Sequence, residues 1–204
     1  MEKDEIKQNE LILSDEEEKI HTPRMDRREW LNCDIDNWPE GIKENAICPL
    51  KITIEKDLQL ELYEIAKKLE YKDVHEVLNI CFWPDCAATD ILKEKFSIFA
   101  EDIDKYLVLR NRPLEFVYPH KDPFRGTSIY LPLGPLGKQY KPLEIYYNNR
   151  EIGIPENDTP VVYAWNTRVT HAVFNNNNYR YNIQASINLP YEEVFEKYND
   201  LFDI

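Results

Sequence analysis

Glycine is scarce, with 5 residues in 204 against 13 prolines. That shortage excludes Gly-rich phosphate cradles, and neither a GxGxxG turn nor a Walker loop is found. Positive charge is also short: 25 Lys and Arg face 38 Asp and Glu, a formal net charge of −13 with a pI near 4.8. A chain built to grip phosphate backbones needs a basic face, so no nucleic-acid partner is expected. The same balance disfavours docking on anionic membrane. There is no run of about eighteen apolar residues, so nothing reads as a membrane span. The opening MEKDEIKQNE lacks the apolar stretch of a signal peptide, and a cytoplasmic location is expected. Cys33, Cys48, Cys81 and Cys86 form no CxxC and no close pair with histidine. They read as small apolar core residues, not as a zinc site. No Gly-framed Ser nucleophile occurs, and the abundant acids single out no carboxylate pair for glycoside chemistry.

What is present suffices for one globular domain with a sizeable core: 24.4 kDa, 43% hydrophobic and 12% aromatic residues. Residues 1–29 read as an acidic leader, disordered because it holds too little apolar surface to offset the entropy of ordering. Residues 30–204 read as a single domain. CPLKITIE over 48–55 alternates as a half-buried strand does. A helix capped by Asp57 is predicted to Tyr71, with Leu58, Leu62, Ile65 and Leu69 on one face. A second helix is predicted over 87–100.

From Lys105 onward the punctuation is that of strands. Apolar or alternating runs fall at 105–110, 114–120, 127–133, 143–148, 160–165, 169–174 and 180–188, separated by Pro, Gly and Asn clusters. Seven short strands at about ten-residue spacing predict a sandwich or barrel-like roll. An amphipathic helix at 191–202 would close it. The fold class is therefore mainly β with flanking helices (α+β), with a β-roll core over about 100–190.

Few residues combine in a chemically pointed way. His120-Lys121-Asp122 places two ligand-type side chains at i and i+2, on one face of an extended strand. His171 follows in another predicted strand. Two imidazoles and a carboxylate on one side of a metal leave the opposite positions open, the arrangement of non-haem Fe(II) oxygenases. Arg180 opens the strand RYNIQASIN, where a guanidinium can bind a carboxylate through two parallel hydrogen bonds. Asn182, Gln184 and Ser186 share its face. Either that polar face lines a ligand cavity, or it meets solvent while Tyr181, Ile183, Ala185 and Ile187 form the core; alternation alone does not choose.

The runs FVYPHKDPFRGTSIYLPLGP and YAWNTRVTHAVFNNNNYRYNIQASINLP resemble the core of Fe(II)/2-oxoglutarate-dependent dioxygenases. More narrowly, they resemble the small aspartyl/asparaginyl hydroxylase-like and phage or bacterial hydroxylase branches. The resemblance implies a double-stranded β-helix (a cupin-like jelly roll) with the N-terminal helices supporting one sheet. It implies Fe(II) on His120, Asp122 and His171, and 2-oxoglutarate as co-substrate with its far carboxylate on Arg180. Asn182 stands where a common version of the motif has serine. Tyr118, Ser128 and Tyr130 are candidates to assist that carboxylate. Arg125, Asn166 and Arg168 are candidates to meet substrate, and Trp83 and Trp165 read as core. The implied reaction is hydroxylation of a small molecule, an amino acid or a peptide side chain, with release of succinate and CO2. Two other classes fit the bare pattern: a non-catalytic jelly-roll ligand-binding module, and a cupin-like metal enzyme that does not use 2-oxoglutarate. The latter commonly carries HxH where this chain has HxD.

Overall fold

The computed structural model describes residues 46–75, 78–113, 116–122, 126–133, 144–147, 150–153, 160–174 and 178–204. The predicted leader, 1–29, and Cys33 lie outside them. In chain order the elements are β1 (Ile47–Thr53), α1 (Lys56–Ala66), β2 (Lys72–His75), β3 (Leu78–Phe82), α2 (Ala87–Lys95) and β4 (Ile103–Asn111). There follow β5 (Phe116–His120), β6 (Thr127–Leu133), β7 (Glu144–Tyr147), β8 (Arg150–Gly153), β9 (Val161–Asn166), β10 (His171–Phe174), β11 (Arg180–Ile187) and α3 (Tyr191–Lys197). Two antiparallel sheets result, one ordered β1-β9-β6-β11-β4-β3-β2 and the other β5-β10-β7-β8. Strands distant in sequence are neighbours in both, the connectivity of a double-stranded β-helix.

The centre of the larger sheet is buried on both faces. All eight residues of β11 and all seven of β6 are buried, so the two-residue alternation separates two interiors, not core from solvent. One face carries Tyr181, Ile183, Ala185 and Ile187 on β11, Ile129, Leu131 and Leu133 on β6, and Val162 and Ala164 on β9. These join Leu58, Leu62 and Ala66 of α1, Ala88 and Leu92 of α2, and Tyr191 and Val194 of α3 in one cluster. Leu92, Phe96 and Phe99 are fully buried there, each contributing about 1.5–3 kcal/mol by leaving water. The helices thus form the expected support layer. Cys48 and Cys81 are buried in this core, and burial pushes the Cys81 thiol up to about 12.

Several boundaries differ from the sequence reading. Glu55, not Asp57, precedes α1, and Asp57 lies in its first turn. That helix ends at Ala66, after which Leu69 is held in the core by a turn. The predicted second helix stops at Lys95, and a 3-10 turn, Ser97–Phe99, follows because Phe96 leaves helical geometry (φ −93, ψ 3). The closing helix ends at Lys197, followed by the 3-10 turn Asn199–Leu201; Phe202 is extended and bridges Leu50. Strands β2, β3 and β8 were not predicted. No helix among the described residues is long and apolar enough to cross a membrane.

Gly126 leads into β6 where the backbones nearly touch. A Cβ there would lie 2.1 Å from the Leu189 carbonyl oxygen and 2.8 Å from the Pro190 nitrogen. Its N–H donates to Ile187 O and its carbonyl accepts from Thr167 N–H. Gly126→Ala is therefore expected to cost about 1–3 kcal/mol, as overpacking does, and to lower the melting temperature by several degrees. An unchanged melting curve would contradict this packing.

Candidate functional site

The site is built on the inner face, between the sheets. Antiparallel pairing of β5 with β10 sets His120 directly opposite His171. Of β5 the side chains of Tyr118 and His120 lie outside the described residues, as does all of Arg125. Asp122 follows β5, and its N–H donates to the Thr167 carbonyl at 2.9 Å, tying that segment to the turn between β9 and β10. Its carboxylate Oδ1 lies 4.0 Å from His171 Nε2, with the side chains 16% and 4% exposed. His171 Nδ1 lies 2.9 Å from the Val169 carbonyl. A carbonyl only accepts, so Nδ1 carries a hydrogen and Nε2 is the ring nitrogen that faces Asp122. The Trp165 ring packs edge-on against the imidazole at 4.4 Å between centroids. An imidazole fixed by a second hydrogen bond beside a carboxylate is a donor set that suits a divalent metal.

The register settles the alternation on β11. Arg180 pairs with Asn111, Asn182 with Leu109 and Pro132, Gln184 with Leu107 and Tyr130, and Ser186 with Ser128. On β9, Tyr163 pairs with Tyr130 and Trp165 with Ser128. These residues occupy the face opposite the helix-packed core, and all are buried. The polar stripe of β11 therefore runs between two walls. One is apolar, made by Ile80, Leu107 and Leu109 with Phe82. The other groups Tyr130, Tyr163 and Trp165 with Ala46 and Val169.

Arg180, 2% exposed, donates from Nη2 to the Tyr130 hydroxyl. Tyr130 and Trp165 belong to one cluster, so a single aromatic wall touches both the guanidinium and the imidazole. A buried guanidinium beside a hydroxyl is a carboxylate-binding pair of donors. Asn182 Oδ1 and Ser128 Oγ are buried and make no hydrogen bond among the described residues, so this face is suited to polar ligand atoms. Asn166 is the buried last residue of β9, and its Oδ1 accepts from Arg168 N–H at 2.9 Å in the turn that follows, where the Arg168 side chain is exposed. Trp83 is core as expected, its indole donating to Leu107 O. Trp165 is buried but belongs to the site wall. The carbonyls of Thr167 and Val169, and the wall residues Tyr163, Leu107 and Leu109, were not found from the sequence. The backbone bonds leave no side-chain signal.

No protein-family model matches the chain, and no curated protein matches it. Solved structures do. A prolyl-4-hydroxylase from Pseudomonas putida superposes with a TM-score of 0.59 at 12% identity, covering 73% of this chain and 95% of that one. A prolyl hydroxylase from Trichoplax adhaerens, solved with a peptide fragment of the hypoxia inducible factor oxygen degradation domain, gives 0.59 at 14% identity, covering 75% and 88%. SnoN, a non-haem alpha-ketoglutarate-dependent epimerase of nogalamycin biosynthesis, gives 0.56 at 12%, covering 71% and 78%. The chain therefore has the double-stranded β-helix fold of the 2-oxoglutarate-Fe(II) oxygenases.

Proposed function

We propose that this chain is an Fe(II)- and 2-oxoglutarate-dependent oxygenase, in which His120, Asp122 and His171 hold the metal and Arg180 with Tyr130 holds the far carboxylate of 2-oxoglutarate. The observation that carries the reading is His171: its Nδ1 is bonded to the Val169 carbonyl and its Nε2 faces Asp122, opposite the strand position of His120. When bound, iron and 2-oxoglutarate supply oxidative decarboxylation, in which dioxygen gives one atom to succinate, formed with CO2, and the other to a substrate C–H bond.

The chain's own residues do the positioning. The Val169 carbonyl keeps the imidazole in the tautomer that offers Nε2. The Thr167 carbonyl fixes the backbone of Asp122. Arg180 can donate two parallel hydrogen bonds to a carboxylate, and Tyr130 can turn its hydroxyl hydrogen to the same group because the guanidinium already donates to its oxygen. The walls of Tyr163 and Trp165 and of Leu107 and Leu109 exclude water from the space between the sheets. The fold also serves an epimerase, so the reaction is read from the site and not from the architecture. The substrate class is a peptide side chain or a small molecule. A relative of the same fold was solved with a peptide, and the net charge of −13 favours a neutral or cationic substrate.

Incubation in air with Fe(II) and 2-oxoglutarate is expected to release succinate above a control in which a chelator removes the iron. Iron binding without any succinate, with or without a library of peptides and amino acids, would overturn the reading in favour of a metal enzyme that does not use 2-oxoglutarate.

A further inference from the structure

The buried atoms on the inward face that make no hydrogen bond among the described residues include Ser128 Oγ and Trp165 Nε1. Groups so placed are normally satisfied, so each points to something the protein binds. Asn182 stands two residues from Arg180 and belongs with the guanidinium. Ser128 and Trp165 form a separate pair. They are direct cross-strand partners on β6 and β9, each no more than 1% exposed, and the Trp165 ring lies against His171. An indole nitrogen can only donate and a hydroxyl can donate, so the pair suits an oxygen acceptor.

Spacing says which oxygen. Tyr130, which takes the bond from Arg180, is two residues from Ser128 on the same strand face, about 7 Å along it. A five-carbon dicarboxylate is roughly 7 Å long from oxygen to oxygen by ordinary bond lengths. From Arg180 and Tyr130 the register runs along this face to Ser128 and Trp165, on the His171 side, so a ligand held by its far carboxylate extends toward that pair.

We propose that Ser128 Oγ–H and Trp165 Nε1–H donate to the near carboxylate of 2-oxoglutarate, the one adjoining its 2-oxo group, and so fix how that end meets the metal. The proposal rests on the oxygenase reading. Its competitor is a water molecule that satisfies both groups and touches no ligand.

Calorimetry under nitrogen on the Fe(II)-loaded protein, without turnover, tests it with two ligands. 2-Oxoglutarate carries both ends, whereas pyruvate carries the 2-oxo acid end alone. Ser128→Ala and Trp165→Phe are each expected to weaken both ligands roughly tenfold or more, the loss of a hydrogen bond to a charged group. Arg180→Ala is expected to weaken 2-oxoglutarate and leave pyruvate unchanged. Ser128→Ala deletes a hydroxyl with no described partner, so its melting temperature should equal or exceed that of the wild type. Wild-type affinity for both ligands in both variants would overturn the proposal and leave the oxygenase reading intact. Failure of wild-type protein to bind 2-oxoglutarate would overturn both.

Discussion

Asp122→Ala and His171→Ala are each expected to reduce succinate release to the level of the iron-free control. Asp122 meets the fold through its backbone N–H to Thr167, a bond that alanine keeps. His171 loses the Nδ1 bond to Val169 and its contact with Trp165, so its melting temperature should fall by a few degrees. Metal content separates the causes: both variants should bind iron weakly, because two ligands do not close a facial site. His120→Ala should behave alike. Succinate release at the wild-type rate in any of the three would remove that residue from the assignment.

Arg180→Ala is expected to act on affinity more than on chemistry. A guanidinium 2% exposed is held at the start of β11, beside the Tyr130 hydroxyl. Charge-assisted hydrogen bonds are worth about 1.5–3 kcal/mol each, and removing two raises the KM for 2-oxoglutarate by roughly 10²–10³-fold or more. The kcat at saturation should change far less, since the bonds are made equally in ground and transition states. Arg180→Lys keeps the charge without the fork and should fall between. Equal losses in kcat and kcat/KM would place Arg180 nearer the reacting atoms than its register allows.

The central strands of the larger sheet were legible because their residues carry the two-residue alternation without interruption. β6 was predicted at its observed limits, and β11 one residue too long at its end. What alternation could not tell was whether the Arg180, Asn182, Gln184 and Ser186 face met solvent or a second layer. Only the pairing of β11 with β4 and β6, and the sheet of β5, β10, β7 and β8 across from it, decides that. β2 and β3 escaped because Leu69 continues the helical spacing of Leu58, Leu62 and Ile65 past the true end of α1, and KDVH is too short and too polar to mark a strand.

Within the proposed site, the HxD pair, the distal histidine and the arginine stand out in the sequence because their chemistry is in the side chains. The carbonyls of Thr167 and Val169 could not, since any residue supplies a carbonyl and only the chain path aims it. The cross-strand partnership of Ser128 and Trp165 is likewise a matter of register, which short strands separated by long connections leave open.

Anaerobic titration of the purified protein with Fe(II) and then 2-oxoglutarate, followed by visible absorption, tests the central claim most directly. The account predicts a weak visible band that appears only when both are present, saturates with 2-oxoglutarate, and requires His120, Asp122 and His171. Iron binding with no band on adding 2-oxoglutarate would contradict it, and no iron binding would leave a β-helix that holds a ligand without a metal.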